Sequence, residues 1–294
     1  MTTIPSNRPP GAMSARSEPR LLEHVALDGE RLHTVFTPGR GTPLLLCNDF
    51  IANLDVLDEF VAALDRPVLC FDLPGIGTSA DVSRFRRMSA LTRLLARLLD
   101  HYRLDTPVDV MGIGWGGLLA QQFAHGYRDR VRRLVLAGTS SGQLMFPGRL
   151  ASLMRLARPG ALGAIAPDGQ NARSVFGGRR NDECGAIAQA MARATAPTNR
   201  GYAAQLYALA GYSSLPWLHR LNVPTLVMAG DDDAIVPMVN ARVLALLLPQ
   251  AKLKIIRGGG HWFVLERTDE VVRILDEFLE SRFAPSAADQ DSTF

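Results

Sequence analysis

The chain has 294 residues, 47% of them hydrophobic, enough to bury one large core and better suited to a single α/β unit with an insertion than to two independent domains. Its 32 basic and 29 acidic residues leave a net charge of +3, and the arginines are scattered with no basic stripe carrying interleaved aromatics, which argues against a nucleic-acid partner. No stretch is long and charge-free enough to span a membrane, and residues 1–20 have no apolar leader segment, so the sequence reads as cytoplasmic.

In chain order, residues 1–20 read as a disordered tail. Leu21–Leu27 and Arg31–Phe36 then straddle Asp28-Gly29, a turn dipeptide that fits a hairpin. Further short apolar, β-branched runs follow at 43–48, 67–72, 107–112, 131–138, 224–230 and 251–257, giving eight strands. Helical spacing of apolar residues fills the gaps at 54–64, 87–102, 115–127, 239–248 and 269–283. This alternation predicts an α/β fold, a mostly parallel eight-stranded sheet with helices on both faces. Residues 142–221 break it: they are helical in pattern, punctuated by Gly and Pro, and read as an inserted helical cap over a core made of 21–141 and 222–283. The stretch 284–294 reads as a second disordered tail. Cys47, Cys70 and Cys184 have no metal-like spacing and read as free thiols in a reducing compartment.

Open α/β sheets bind ligands beside the carboxyl ends of their strands, so the residues following each strand are candidates for chemistry. After the strand at 107–112 comes Gly112-Ile113-Gly114-Trp115-Gly116, a strand-turn-helix motif that normally presents a serine nucleophile at its centre. Gly114 stands at that nucleophile position. After the strand at 224–230 comes Asp231-Asp232-Asp233, with Asp233 placed as a triad acid, and after the last strand a glycine-rich turn delivers His261. His24, His33, His101, His125 and His219 have no such company and read as surface or packing residues. Ser79, Thr139, Ser140 and Ser141 also follow strands, but turn and hinge roles account for them.

With the runs Phe71-Asp72-Leu73-Pro74-Gly75-Ile76-Gly77, Trp115 to His125 and Ala229 to Asp233, the chain resembles the medium-chain-length polyhydroxyalkanoate depolymerase branch of the α/β-hydrolase superfamily over most of residues 21–283. The resemblance implies an ester-hydrolysing triad whose acid and histidine fall on Asp233 and His261, with no metal and no cofactor. It also implies an elbow serine, which Gly114 replaces, and a glycine in the loop Asn48-Asp49-Phe50, where this chain has Asp49. In this fold the backbone N–H groups of Phe50 and Trp115 are the expected oxyanion donors. Asp49 is read in two ways, as a carboxylate that repels a developing oxyanion or serves as an acid or base of the site, or as one that points away and caps local backbone.

Glycine cannot form an acyl-enzyme, so serine esterase chemistry is not expected. The leading expectation is general-base catalysis by His261, supported by Asp233, with the Phe50 and Trp115 amides holding an enolate and a small residue 114 leaving room for substrate. Loss of a carboxylate such as acetate from an acyloxy substrate would complete an elimination to an alkene. This reaction is similar to one that α/β-hydrolase-fold enzymes of tetronate polyketide pathways perform. The expected partner is a small apolar ester-like molecule, in a pocket lined by Trp262, Met145, Phe146, Tyr207, Tyr212 and Trp217. Ester or lactone hydrolysis by a water that His261 activates, and ligand binding without catalysis, stay open beside it.

Overall fold

The computed structural model describes residues 19–50, 52–156, 170–178 and 184–281. The two expected tails therefore lie outside the described residues, except for residues 19 and 20, and so does the side chain of Cys184. Eight strands form one sheet: β1 (Leu21–Leu27), β2 (Glu30–Thr37), β3 (Leu44–Cys47), β4 (Val68–Phe71), β5 (Val108–Ile113), β6 (Val131–Ala137), β7 (Thr225–Gly230) and β8 (Ala251–Ile256). Their order is β1-β2-β4-β3-β5-β6-β7-β8, and β2 alone runs against its neighbours. The opening hairpin turns on Asp28 and Gly29, with φ of 49° and 79°, and pairs Leu27 with Glu30. Positive φ at both turn positions matches the twist of the two strands, which is why an Asp-Gly pair sits there.

The central strands are buried on both faces, and their side chains alternate between two cores. Leu44, Leu46, Met111, Ile113, Val135 and Ala137 face one, whereas Leu45, Cys47, Val108, Val110, Leu134 and Leu136 face the other. The first core is closed by α1 (Asp58–Ala63), α6 (Cys184–Ala192), α9 (Phe263–Glu266) and α10 (Thr268–Glu280); the second by α2 (Met88–His101), α3 (Trp115–Gly126) and α8 (Met238–Leu247). In α2 the buried positions Leu91, Leu94, Leu95, Leu98 and Leu99 form one stripe, and in α10 Val271, Ile274, Leu275 and Phe278 do the same. The helix expected over 54–64 is two pieces, a 3-10 turn over Leu54–Leu57 followed by α1, with the Leu54 amide donating to the buried Asp72 carboxylate at 2.7 Å.

Between β6 and β7 the described residues hold α4 (Leu150–Leu156), α5 (Gln170–Phe176) and α7 (Asn199–Leu209) as well as α6. Two single-residue bridges fasten this region, Gly142 with Ser213 and Gly177 with Asp233. The second bridge joins it directly to the loop that carries the candidate acid.

Candidate active site

Gly114 lies between β5 and α3 with φ 50° and ψ −117°, a conformation that costs an L side chain. Two contacts hold the turn: its N–H donates to the Ala137 carbonyl at 2.9 Å and its carbonyl accepts from the Thr139 hydroxyl at 2.6 Å. A Cβ on Gly116 would lie 2.2 Å from the Cys47 carbonyl oxygen, so its absence lets the start of α3 press against the end of β3. That approach brings the loop after β3, and Asp49 with it, beside the elbow.

The Asp49 side chain turns inward. Its Oδ1 accepts the N–H of Phe50 at 2.7 Å and the N–H of Trp115 at 2.8 Å, and its Oδ2 lies 3.0 Å from His261 Nε2. A Cβ built on Gly114 would stand 1.8 Å from Oδ1 and 2.3 Å from Cγ. The carboxylate thus occupies the space of a residue-114 side chain. Asp49 bonds its neighbour's amide but does not point away from the site, as one of its two readings expected; it meets the histidine. The two expected oxyanion donors, the amides of Phe50 and Trp115, both face Asp49 Oδ1. The space beside Gly114 that was expected to be left for substrate is taken up by Asp49, although Gly114 still borders the cavity described below.

His261 lies between two carboxylates. Its Nδ1 is 2.7 Å from Asp233 Oδ2, while Asp233 Oδ1 accepts the N–H groups of Ile235 and Val236, each at 2.8 Å. The ring is buried and stacks with Phe176 at 6.4 Å between centroids, and the His261 N–H donates to the Phe176 carbonyl at 2.8 Å. Burial alone would push the imidazole pKa down. The charges of Asp233 and Asp49, with a hydrogen bond to each, outweigh it and raise the pKa to about 10. The two carboxylates, one at each ring nitrogen, thus favour the protonated form of His261 over the free general base that was expected.

A cavity of about 460 Å³ opens over this cluster. Asp49, Phe50, Gly114, Trp115, His261 and Trp262 line its floor; Met145, Leu153, Leu156, Phe176, Tyr202, Leu206 and Leu209 line it from the inserted region. Of the aromatic and methionine side chains expected at the pocket, Trp262 and Met145 reach it. Phe146 is exposed, and Tyr207 packs on Phe85 and Arg87. Tyr212 is buried with its hydroxyl donating to the Leu118 carbonyl, and Trp217 stacks on His125. Their place is taken by Tyr202, Leu206 and Leu209, which share one face of α7 at i, i+4 and i+7, whereas Tyr207 projects from another. That spacing was available in the sequence as a signal; Phe176, on a short helix ahead of Gly177-Gly178, offered none.

The hydroxyls near the strand ends are engaged elsewhere: Ser79 donates to the Asp72 carbonyl, Ser140 to Gly142 and Ser141 to Leu144. His33 pairs with Asp72 at 3.4 Å and His101 with Glu23 at 3.2 Å, both away from the cavity. Cys47 and Cys70 are buried free thiols.

A family model described as the alpha/beta hydrolase fold matches residues 42–268. The chain is 39% identical over 275 residues to a poly(3-hydroxyalkanoate) depolymerase of Ectopseudomonas oleovorans, covering 90% of this chain and 94% of that protein. It is 29% identical over 300 residues to the polyketide synthase ThaQ of Burkholderia thailandensis, across 96% of this chain but only 14% of that much longer protein. Among solved structures, a thermophilic esterase from Thermogutta terrifontis superposes with a TM-score of 0.70 at 25% identity, covering 91% of this chain and all of the other. The sheet order, the elbow between β5 and α3, and the agreement of these comparisons lead to one assignment: the chain is an enzyme of the α/β-hydrolase fold family.

Proposed function

We propose that this enzyme breaks the alkyl carbon–oxygen bond of an apolar acyloxy compound by elimination, with Asp49 and His261 acting as a base and acid pair. The observation that carries this reading is the 3.0 Å separation of Asp49 Oδ2 from His261 Nε2 at the cavity floor. Oδ2 takes a proton from the carbon next to a carbonyl, and the Nε2 proton passes to the departing carboxylate oxygen. Two groups so close together suit removal of the hydrogen and the leaving group from the same face of the substrate. The products are an alkene and a carboxylic acid; the proton on Asp49 then returns to His261, so no water is consumed. Asp233 acts by holding the ring and its charge.

The substrate class follows from the chemistry of related esters. In an ester of a 3-hydroxyalkanoate, the unit named for the depolymerase relative, the acyloxy group lies on the carbon β to a carbonyl. The hydrogen between them is acidic, so such a compound is disposed to eliminate. The cavity walls, Met145, Leu153, Leu156, Leu206 and Leu209, fit a medium alkyl chain. The likeness to a polyketide synthase is in keeping with an acyl-chain substrate and a role in polyketide biosynthesis. Hydrolysis by a water activated at His261 would need a neutral imidazole, and the two flanking carboxylates disfavour it.

The test uses methyl 3-acetoxyoctanoate in oxygen-18 water. Expected products are methyl 2-octenoate and unlabelled acetate, with the rate falling by a factor on the order of 10² to 10⁴ in Asp49→Asn. Methyl 3-hydroxyoctanoate accompanied by labelled acetate would show acyl-oxygen hydrolysis and overturn the proposal.

A further inference from the structure

We infer that the enzyme receives its substrate from an acidic carrier protein, as an acyl thioester on that protein's phosphopantetheine arm, and that the stretch between β6 and β7 is the surface on which the carrier docks. This rests on the acyl-chain substrate proposed above and names the form in which it arrives. Charge is divided unevenly along the chain. Residues 142–221 hold nine arginines, no lysine and three acidic residues, a net of +6, whereas the remaining 23 basic and 26 acidic residues leave −3 for the rest. The three acids lie outside the described residues, while the exposed Arg149, Arg155, Arg193 and Arg200 lie within them. Arg149 and Arg193 pair with Asp232 and Glu59 from outside this stretch, Arg200 lies 4.0 Å from Asp81, and Arg155 donates to the Ser174 hydroxyl.

The same stretch exposes apolar side chains beside the cavity. On α4, Leu153 and Leu156 line the cavity, whereas Leu150 and Met154, four residues apart, stand 71% and 56% exposed next to Arg155. Leu144 and Phe146 are exposed on either side of Met145, a cavity residue. On α7, Leu206 both lines the cavity and reaches the surface, and its neighbour Tyr207 lies under the Arg87 guanidinium at 4.2 Å. Apolar side chains set among arginines at the edge of a cavity complement an acidic partner, and a second copy of this chain would bring charge of the same sign. The cavity itself favours a thioester over a free acid. Among the described residues that line it, Asp49 and His261 are the charged ones, and His261 is already held between two carboxylates. A substrate carboxylate would be buried beside Asp49 with no cation of its own, whereas a thioester is neutral. Its carbonyl also acidifies the neighbouring hydrogen more than an oxygen ester does, which suits removal of that hydrogen by Asp49. With the arm holding the chain, the cavity of about 460 Å³ has to admit the acyl group and not the carrier.

The probes are an acidic acyl carrier protein loaded with the 3-acetoxyoctanoyl group and the coenzyme A and N-acetylcysteamine thioesters of the same group. Acetate release is expected with kcat/KM at least about 10-fold higher from the carrier than from either small thioester, an advantage that shrinks as salt rises from about 0.05 to about 0.5 M. Arg155→Glu combined with Leu150→Asp is expected to remove the advantage while leaving turnover of the N-acetylcysteamine thioester within about two-fold. Docking is measured apart from chemistry with octanoyl-carrier, which has no acyloxy group to lose; fluorescence anisotropy with the unaltered full-length enzyme is expected to show binding that weakens with salt, so a variant that fails to fold does not decide the outcome. Carrier binding without acetate release from the loaded carrier would support the docking and overturn the elimination. Acetate release from the small thioesters without carrier binding, or equal use of the coenzyme A and carrier thioesters, would overturn the docking and leave the elimination standing. Binding to vesicles of anionic phospholipid in place of the carrier would assign the surface to a membrane and overturn the docking as well.

Discussion

A side chain at position 114 and the observed carboxylate at position 49 exclude each other, because the added Cβ would lie 1.8 Å from Asp49 Oδ1. One point in space is therefore supplied from the end of β3 instead of from the elbow. Gly114→Ala is expected to cost about 1 to 3 kcal/mol from backbone conformation alone at its φ of 50°, with the displacement of Asp49 added to that. Gly114→Ser should behave the same way and stay unreactive, since its Cβ meets Asp49 before its hydroxyl can reach His261. Combining it with Asp49→Gly frees both the space and the two amides. The double variant is expected to be more stable than the sum of its singles, by more than about 0.5 kcal/mol in a denaturant titration, and to be labelled by a serine-directed phosphonate. Strictly additive stabilities, or a folded double variant that resists labelling, would mean that the two residues do not share the nucleophile position.

At the scale of elements, the acid loop after β7 and the histidine loop after β8 are joined by a piece of the inserted region. The Phe176 carbonyl accepts from both His261 and Ala234, Gly177 bridges Asp233, and the Gly178 amide donates to Asp232 Oδ2 at 3.1 Å. Asp232 Oδ1 also accepts from Arg149 at 2.8 Å, so one carboxylate ties two parts of this region to the sheet. Arg149 is largely exposed, which makes its ion pair weak, while the bond from Gly178 is charge-assisted. Asp232→Ala is therefore expected to change global stability by less than about 1 kcal/mol yet to speed amide exchange at residues 176–178, leaving β5 to β7 unaltered. Unchanged exchange at 176–178 would show that the tether is ornamental. The strands and crossover helices were legible because burial on two faces imposes short apolar runs, and one-sided burial imposes helical spacing, within the same chain. That Gly114, Asp233 and His261 come close together was legible because each follows a strand at the same edge of the sheet. The contact between Asp49 and His261 was not, since it depends on how closely Gly116 lets α3 approach β3. Nor were the inward faces of the helices between β6 and β7: residue type singles out Phe146, Tyr207, Tyr212 and Trp217, and type does not say which way a helix or loop is turned.

For the molecule as a whole, the buried trio of Asp49, His261 and Asp233 makes folding stability depend on pH with a definite sign. The folded pKa of His261 is raised to about 10 from an ordinary value near 6.5, so its contribution is fully present below about pH 6.5. Between those values the unfolded chain has lost the imidazole proton and the folded chain has kept it; stability therefore falls as pH rises, and the loss is complete once the folded histidine deprotonates. The buried thiols act in the same direction over a later range. Burial pushes Cys70 up to about 12 and Cys47 higher still, so their effect begins near pH 9, where an exposed thiol ionises. The two sources are separable by where the slope starts. Denaturant titrations of the wild type are expected to show stability declining already from about pH 7 to 9, whereas His261→Gln is expected to keep over that interval only the smaller decline from His33, whose pKa its hydrogen bond to Asp72 raises. The proposed elimination should persist to the alkaline side of neutrality and fall near pH 10, as Nε2 loses the proton that the proposal has it donate to the leaving group. A wild-type protein whose stability is level from pH 7 to 9, or whose activity rises through a pKa near 6.5 as a neutral imidazole forms, would show that the carboxylates do not hold His261 charged. The acid role assigned to it would then fail.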